Sequence, residues 1–373
     1  MTARVHHIES PGRDDFAAMR RLKRRVYRDD AHYCPPFEGA EQREFERERF
    51  RDRQRLFVAE DDDGLVAHVL ARVATEHPQP DGSPLGMLGQ FEALDRPEAI
   101  QELLGEACAW LASQGCSAVA GPIDGDTWHA YRFNLGPFDE PPFLKEPYNP
   151  AYYPEQWEAF GFQTWQTYHS RRVPDIDAAR EGMAERWRSV LERGFQFDGI
   201  DGTDVAQFEQ YLERLYAMVQ EIFRDNFLYS PISRDEFMEL YDGAEKLVDP
   251  DLAFILVAPD GRDAGFSFTF PDLARAVASM DGKKSLWSKA KFLLNSRTDT
   301  GNVKTVGIMP EFQGQGLYTA MTYQFYEGML ARGLSKANLC LMIDGNISAS
   351  ADGGDGQVLR RYALYRLELK EKL

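Results

Sequence analysis

The run T-V-G-I-M-P-E-F-Q-G-Q-G-L-Y-T-A-M, from Thr305 to Met321, reads as a strand that feeds a glycine-bearing turn and then a helix. Thr305, Val306 and Ile308 are strand formers, and Pro310 cannot continue a central ladder. From Leu317 onward Met321, Phe325 and Met329 recur at helical spacing, which places the glycines at a helix N-terminus. There the first N–H groups have no intrahelical partner, the helix dipole is positive, and Gly314 and Gly316 let a ligand approach the main chain closely. The geometry suits a diphosphate.

Two common phosphate loops do not fit. A nucleoside-triphosphatase loop needs Lys-Ser or Lys-Thr after its last glycine, where this chain has Leu317 and Tyr318. A dinucleotide fingerprint needs a third glycine, and Asp344 alone is weak support for one. Val306, Pro310, Gln313, Gly314 and Gly316 instead fall on V-x-x-x-P-x-x-[QR]-G-x-G, so the stretch resembles the acyl-CoA-binding motif of the GCN5-related N-acetyltransferases. Tyr318 departs from it, standing where that family keeps glycine or alanine. The resemblance implies that acetyl-CoA or another acyl-CoA lies on Ile308, Met309, Gln313, Gly314, Gln315, Gly316, Leu317 and Tyr318, with Asn346 after the next strand.

The chain has 373 residues, 43% hydrophobic and 12% aromatic, enough for two packed cores. No apolar run approaches the roughly 18 residues of a membrane span, and the N-terminus lacks a signal-peptide pattern, so the expectation is a cytoplasmic protein without membrane partners. Cys34, Cys108, Cys116 and Cys340 lack metal or disulfide spacing, and no metal site is expected. A formal charge of −17 and a pI near 4.9 argue against nucleic acid as partner. One basic cluster stands out, Lys283, Lys284, Lys289 and Lys291 in K-K-S-L-W-S-K-A-K. It reads as a solvated helix face, with the ribose phosphate of a coenzyme as the alternative.

The chain repeats itself after about two hundred residues. V-Y-R-D-D from Val26 matches I-F-R-D-N from Ile222, and the D-G turn at Gly64 matches the one at Gly261. Helix, hairpin, strand, turn and helix follow in both copies. The resemblance therefore implies an α/β (α+β) chain of two tandem acyl-CoA N-acyltransferase-like domains, 1–175 and 176–373. Each would be a mixed, mainly antiparallel sheet flanked by helices. The first copy has no Gln-Gly-x-Gly and reads as degenerate, Tyr152, Tyr153 and Trp157 packing its core.

Transfer from a thioester to the amine of a small molecule needs a neutral amine, alignment and a donor for the oxyanion, expected near Ile308 or Met309. All seven histidines lie at or before His169, which leaves the second domain Glu221, Glu236 and Asp344 as weak candidate bases. After Asp344 the family's tyrosine-bearing helix is replaced by a glycine-rich run, and Tyr362 and Tyr365 in the last strand are substitute proton donors only if they point toward the sulfur. The alternatives are a CoA-binding scaffold without turnover and an aminoacyl-tRNA-dependent transferase, which the acidic charge disfavours.

Overall fold

The computed structural model describes residues 3–37, 39–345 and 356–369. In chain order the first half carries β1 (Arg4–Ile8), α1 (Arg13–Val26), α2 (Ala40–Phe45), β2 (Gln54–Asp61), β3 (Gly64–Ala74), β4 (Leu85–Ala93), α3 (Pro97–Ser113), β5 (Ala118–Gly121), β6 (Phe133–Gly136) and α4 (Tyr152–Phe160). Strand β7 (Gln163–Val173) closes that half, and the second carries α5 (Ile176–Arg180), α6 (Ala184–Glu192), β8 (Gln196–Gly199), α7 (Val205–Ile222), α8 (Arg234–Leu240), β9 (Ala253–Val257) and β10 (Asp263–Pro271). It continues through α9 (Ala274–Ser279), α10 (Leu286–Leu294), β11 (Thr300–Ile308), α11 (Leu317–Ala331), β12 (Lys336–Ile343) and β13 (Gln357–Glu368).

The chain divides into two units, but not at the boundary expected between 175 and 176. The first comprises 1–167, 274–295 and 361–373; the second comprises 168–273 and 296–360. The cause is an exchange of strands. In the first unit the strand beside β5 comes from the far end of the chain, with Tyr365 opposite Gly121 and Glu368 opposite Ala118. In the second unit the strand beside β12 comes from the first half, with Val173 opposite Ala337 and Tyr168 opposite Ile343. The α9–α10 hairpin also belongs to the first unit, where Lys284 lies over the Phe37 ring at 5.2 Å. The basic cluster is therefore not part of the unit that holds the glycine turn.

The first unit's sheet runs β1-β2-β3-β4-β5-β13, with β6 also pairing β13, at Arg361–Ala363. Strand alternation divides its apolar residues between two faces. Leu56, Val58, Leu65 and Leu70 meet Phe16, Met19 and Leu22 of α1, while Phe57, Ala59, Val66 and Val69 meet Ile100, Leu103, Leu104 and Leu111 of α3. Because both faces are covered, β3 is almost wholly apolar. Both D-G turns form as read, joining β2 to β3 at Gly64 and β9 to β10 at Gly261.

The second unit's sheet runs β7-β12-β11-β10-β9-β8. Leu317, Ala320, Met321, Phe325 and Met329 of α11 pack on Phe254, Leu256, Val303 and Leu339, and α5 and α6 add Ile176 and Val190. Burial of each large side chain contributes about 2 kcal/mol. The exchange is tested by ending the chain at Arg360. Amides of Ala118–Gly121 are expected to lose hydrogen-exchange protection by more than about a hundredfold, while those of Ala253–Val257 keep theirs.

Candidate functional site

The glycine turn of the second unit stands where two parallel strands part. Pairing of β11 with β12 is confined to Thr300–Val303 against Lys336–Leu339, although both strands run further. Both bulge at this level. Lys304 is the extra residue between Val303 and Thr305, which oppose Thr269 and Phe268, and β12 spends two residues, Cys340 and Leu341, where β7 spends one. Leu341 takes φ 65°, outside the extended region. Bulges bend strands, and here they open a wedge between the ends of β11 and β12.

At the mouth of the wedge Gly314 and Gly316 take φ +73° and +75°, which a side chain would strain. Among the described residues the N–H groups of Gly314, Gln315 and Gly316 have no acceptor. A Cβ on Gly314 would meet nothing within 4 Å, so the approach is open; one on Gly316 would lie 2.7 Å from Cδ of Arg186. Helix α6 thus lays an exposed guanidinium beside the turn. Arg193, just after α6, donates to the Gln315 carbonyl at 3.0 Å and to its Oε1 at 2.8 Å, which braces the loop. Met309 donates its N–H to Ala264 O at 2.9 Å. Since backbone N–H groups alternate edges along a strand, the Ile308 N–H faces the wedge.

The equivalent seam of the first unit is sealed. Beyond the pairing of β4 with β5, Ile123 donates to Leu88 O at 2.7 Å, and the Asp124 carboxylate accepts from Gln90 N at 2.7 Å and Gln90 Nε2 at 2.6 Å. A Cβ on Gly89 would lie 2.1 Å from Asp124 Oδ1, so the carboxylate fills the gap completely. The helix that follows has Pro97 in its first turn, and Tyr153 Oη accepts the Ala93 N–H at 2.8 Å. Trp157, Phe133, Phe91 and Tyr153 pack edge to face behind it.

No family model matches the chain. Protein YghO of Escherichia coli is 23% identical over 260 residues, 69% of this chain and 66% of that protein. The bacterial ceramide synthase of Caulobacter vibrioides is 22% identical over 262 residues, 69% of this chain and 67% of that one. The match thus spans about two thirds of each relative's length. A tandem GNAT protein from the clavulanic acid biosynthesis pathway superposes with a TM-score of 0.54 at 11% identity, over 99% of this chain and 100% of that one. Its fold decides the matter. The chain has the fold of the GCN5-related N-acetyltransferases, in tandem.

Of the residues singled out in the sequence, Gln313 to Tyr318 form one turn of this GNAT unit, with Ile308 and Met309 at its foot. Asn346, and the glycine-rich run after it up to Asp355, lie outside the described residues. Glu221 is exposed on α7, 3.6 Å from Arg224, and Glu236 lies in the first turn of α8, its N–H capped by Ser233. Tyr362 is a correction. It is fully buried in the first unit, where its hydroxyl is held by Glu146, because β13 completes that unit's sheet.

A histidine does reach the second unit, for the same reason. Strand β7 carries His169 into the second unit opposite Met342, and His169 Nδ1 meets Asp344 Oδ1 at 2.5 Å. Nε2 makes no hydrogen bond among the described residues. No sequence spacing signals this pair.

A buried polar cluster in the first unit did have a signal, since His68 and Arg72 interrupt an otherwise apolar β3. Lys23 pairs with Glu92 at 3.0 Å; burial opposes its charge, but Glu92 and Glu41 prevail and hold its pKa up. Burial and Lys23 push the His68 imidazole down to about 3, so it is neutral. Its Nδ1 and both carboxylate oxygens of Glu41 have no hydrogen-bond partner.

Burial, aided by Glu44, pushes Asp124 up to about 6, against an ordinary value of 3.8. The folded state therefore holds this proton more tightly, and the stability it confers is full below the ordinary value and lost as pH rises through about 6. Relative to Asp124→Asn, the parent is expected to lose about 2 kcal/mol between about pH 4.5 and 7.5 in urea unfolding. A difference independent of pH would mean that the seam accommodates the charge.

Proposed function

We propose that the second unit is an acyl-CoA-dependent N-acyltransferase that takes its donor, acetyl-CoA or a longer acyl-CoA, on the turn from Gln313 to Tyr318. The first unit is then a copy whose donor site is closed. The observation that carries this reading is the contrast between the two seams. One offers unpaired N–H groups, open space and Arg186; the other has the N–H groups of Gln90 and Ala93, at the end of β4, taken by Asp124 and Tyr153. Bound there, acyl-CoA supplies an activated acyl group.

The residues of the chain do the rest. The N–H groups of Gly314, Gln315 and Gly316 and the start of α11 would hold the diphosphate, and Arg186 adds a positive charge that no described residue neutralises. The Ile308 N–H faces the wedge and serves the oxyanion in place of Met309, whose N–H is taken. His169 is the general base. Asp344 holds its Nδ1, which fixes the tautomer and leaves Nε2 to accept a proton from the incoming amine. His169 lies in the middle of β7 and Asp344 directly after β12, beside the stretch of β12 that has parted from β11.

The acceptor is an amine. One relative is named a ceramide synthase, and a ceramide is the amide of a long-chain amino alcohol, so amphiphilic amines belong beside small polar ones in the screen.

Two experiments test the reading. Titration calorimetry is expected to show CoA binding weakened about tenfold by Arg186→Ala, with the melting temperature of the free protein unchanged. No CoA binding by the parent would overturn the reading. Thiol release in the presence of an accepted amine should fall about a hundredfold in kcat for His169→Gln, with KM for acyl-CoA retained and the rise of rate with pH flattened. Binding without thiol release toward any amine would leave the scaffold reading in its place.

A further inference from the structure

Helix α10 turns its apolar face outward. Of the eight large hydrophobic side chains that are exposed among the described residues, four lie on this one helix: Leu286 at 86%, Trp287 at 71%, Leu293 at 72% and Leu294 at 79%. The clustering is not chance scatter. At 100° per residue Leu293, Leu286, Ala290, Leu294 and Trp287 fall side by side in a stripe about 120° wide, with Lys289 along one border and Lys291 along the other. The opposite side holds the helix to its unit. Ser288 is buried there, Phe292 is half-buried, and Ser285 caps the helix N-terminus by accepting the Ser288 N–H at 3.2 Å.

The charge around the stripe is as unusual as the stripe. The chain as a whole carries −17, yet the residues from Lys283 to Leu294 include four lysines and no acid. Lys283 is paired with Asp281 at 2.7 Å and Lys284 lies over Phe37, which leaves Lys289 and Lys291 outside any ion pair among the described residues, Lys291 acting on Asp281 only at longer range. An apolar stripe bordered by lysines, with a tryptophan at its edge, suits the boundary between lipid headgroups and acyl chains. A second copy of the chain suits it less well, because a two-fold contact on this face would bring the same lysines together. No helix among the described residues is long and apolar enough to cross a membrane, so the fit is to a surface.

We propose that α10 docks the protein on anionic membranes, its Leu286, Trp287, Leu293 and Leu294 side chains entering the interface and its lysines meeting the phosphates. This stands on the surface alone and does not depend on the acyltransferase reading. It replaces the expectation of no membrane partner, which considered only spans.

The test is flotation of the full chain with vesicles of phosphatidylcholine alone and with 30 mol% phosphatidylglycerol (about that fraction suffices for a strongly negative surface). Binding is expected to the mixed vesicles at low salt and to be more than about tenfold weaker to neutral ones. Leu286→Ser with Leu294→Ser, and separately Lys289→Glu with Lys291→Glu, should each cut it more than about tenfold while leaving the melting temperature and CoA binding unchanged. Absence of vesicle binding by the parent, or equal binding by either double variant, would overturn the proposal. So would a dimer in sedimentation that Leu286→Ser with Leu294→Ser dissolves, without vesicle binding.

Discussion

Everything particular to the second unit follows from a parallel strand pair that is hydrogen-bonded at one end only. Four residues of β11 meet four of β12, and then bulges at Lys304 and at Cys340–Leu341 turn the strands apart. Each unmet backbone group would be costly if buried, so an opening of this kind persists only where water or a ligand reaches it. It also constrains the neighbours. Because β12 has little of its inner edge paired, its outer edge has to be well satisfied, and β7 supplies that ladder from Tyr168 to Val173. The same ladder delivers His169 to Asp344.

The first unit shows what the same architecture becomes when such groups are satisfied internally. Asp124 accepts two hydrogen bonds from Gln90, Tyr153 takes the Ala93 N–H, and an aromatic block fills the space behind them. Arg47 and Arg49 share the buried Asp126, and Arg72, 1% exposed, is held by Glu44 and Gln54. These arginines lie over or near the Phe50 ring, so cation and aromatic faces reinforce the ion pairs. Sealing such a seam takes more than the lack of glycines; polar side chains have to be spent on the backbone that is left.

What was legible in the sequence was local. The strand, turn and helix from Thr305 to Met321 and the two D-G hairpins depend on residues a few positions apart, and their chemistry leaves little choice. The burial of Tyr153 and Trp157 also followed from their setting among apolar residues. What was not legible depended on which free sheet edge each strand would choose. Strands β7 and β13 carry similar patterns, and nothing in their composition says that each completes the other half's unit. The misplacement of Tyr362 and the setting aside of histidine both descend from that choice. Asp124 was missed for another reason: a carboxylate that seals a seam looks, in sequence, like any turn aspartate.

The exchange of strands also has a consequence for the newborn chain. Synthesis releases residues 1–167 before β13, so the first unit then lacks the strand that belongs beside β5, and that edge stays bare until β13 has emerged. The second unit has its borrowed strand in hand from the start, since β7 precedes all its other strands. On the ribosome the second unit can therefore mature before the first, the reverse of the usual order for tandem domains. During that interval a bare, apolar edge is the place where a chaperone, or a neighbouring nascent chain, has its opportunity.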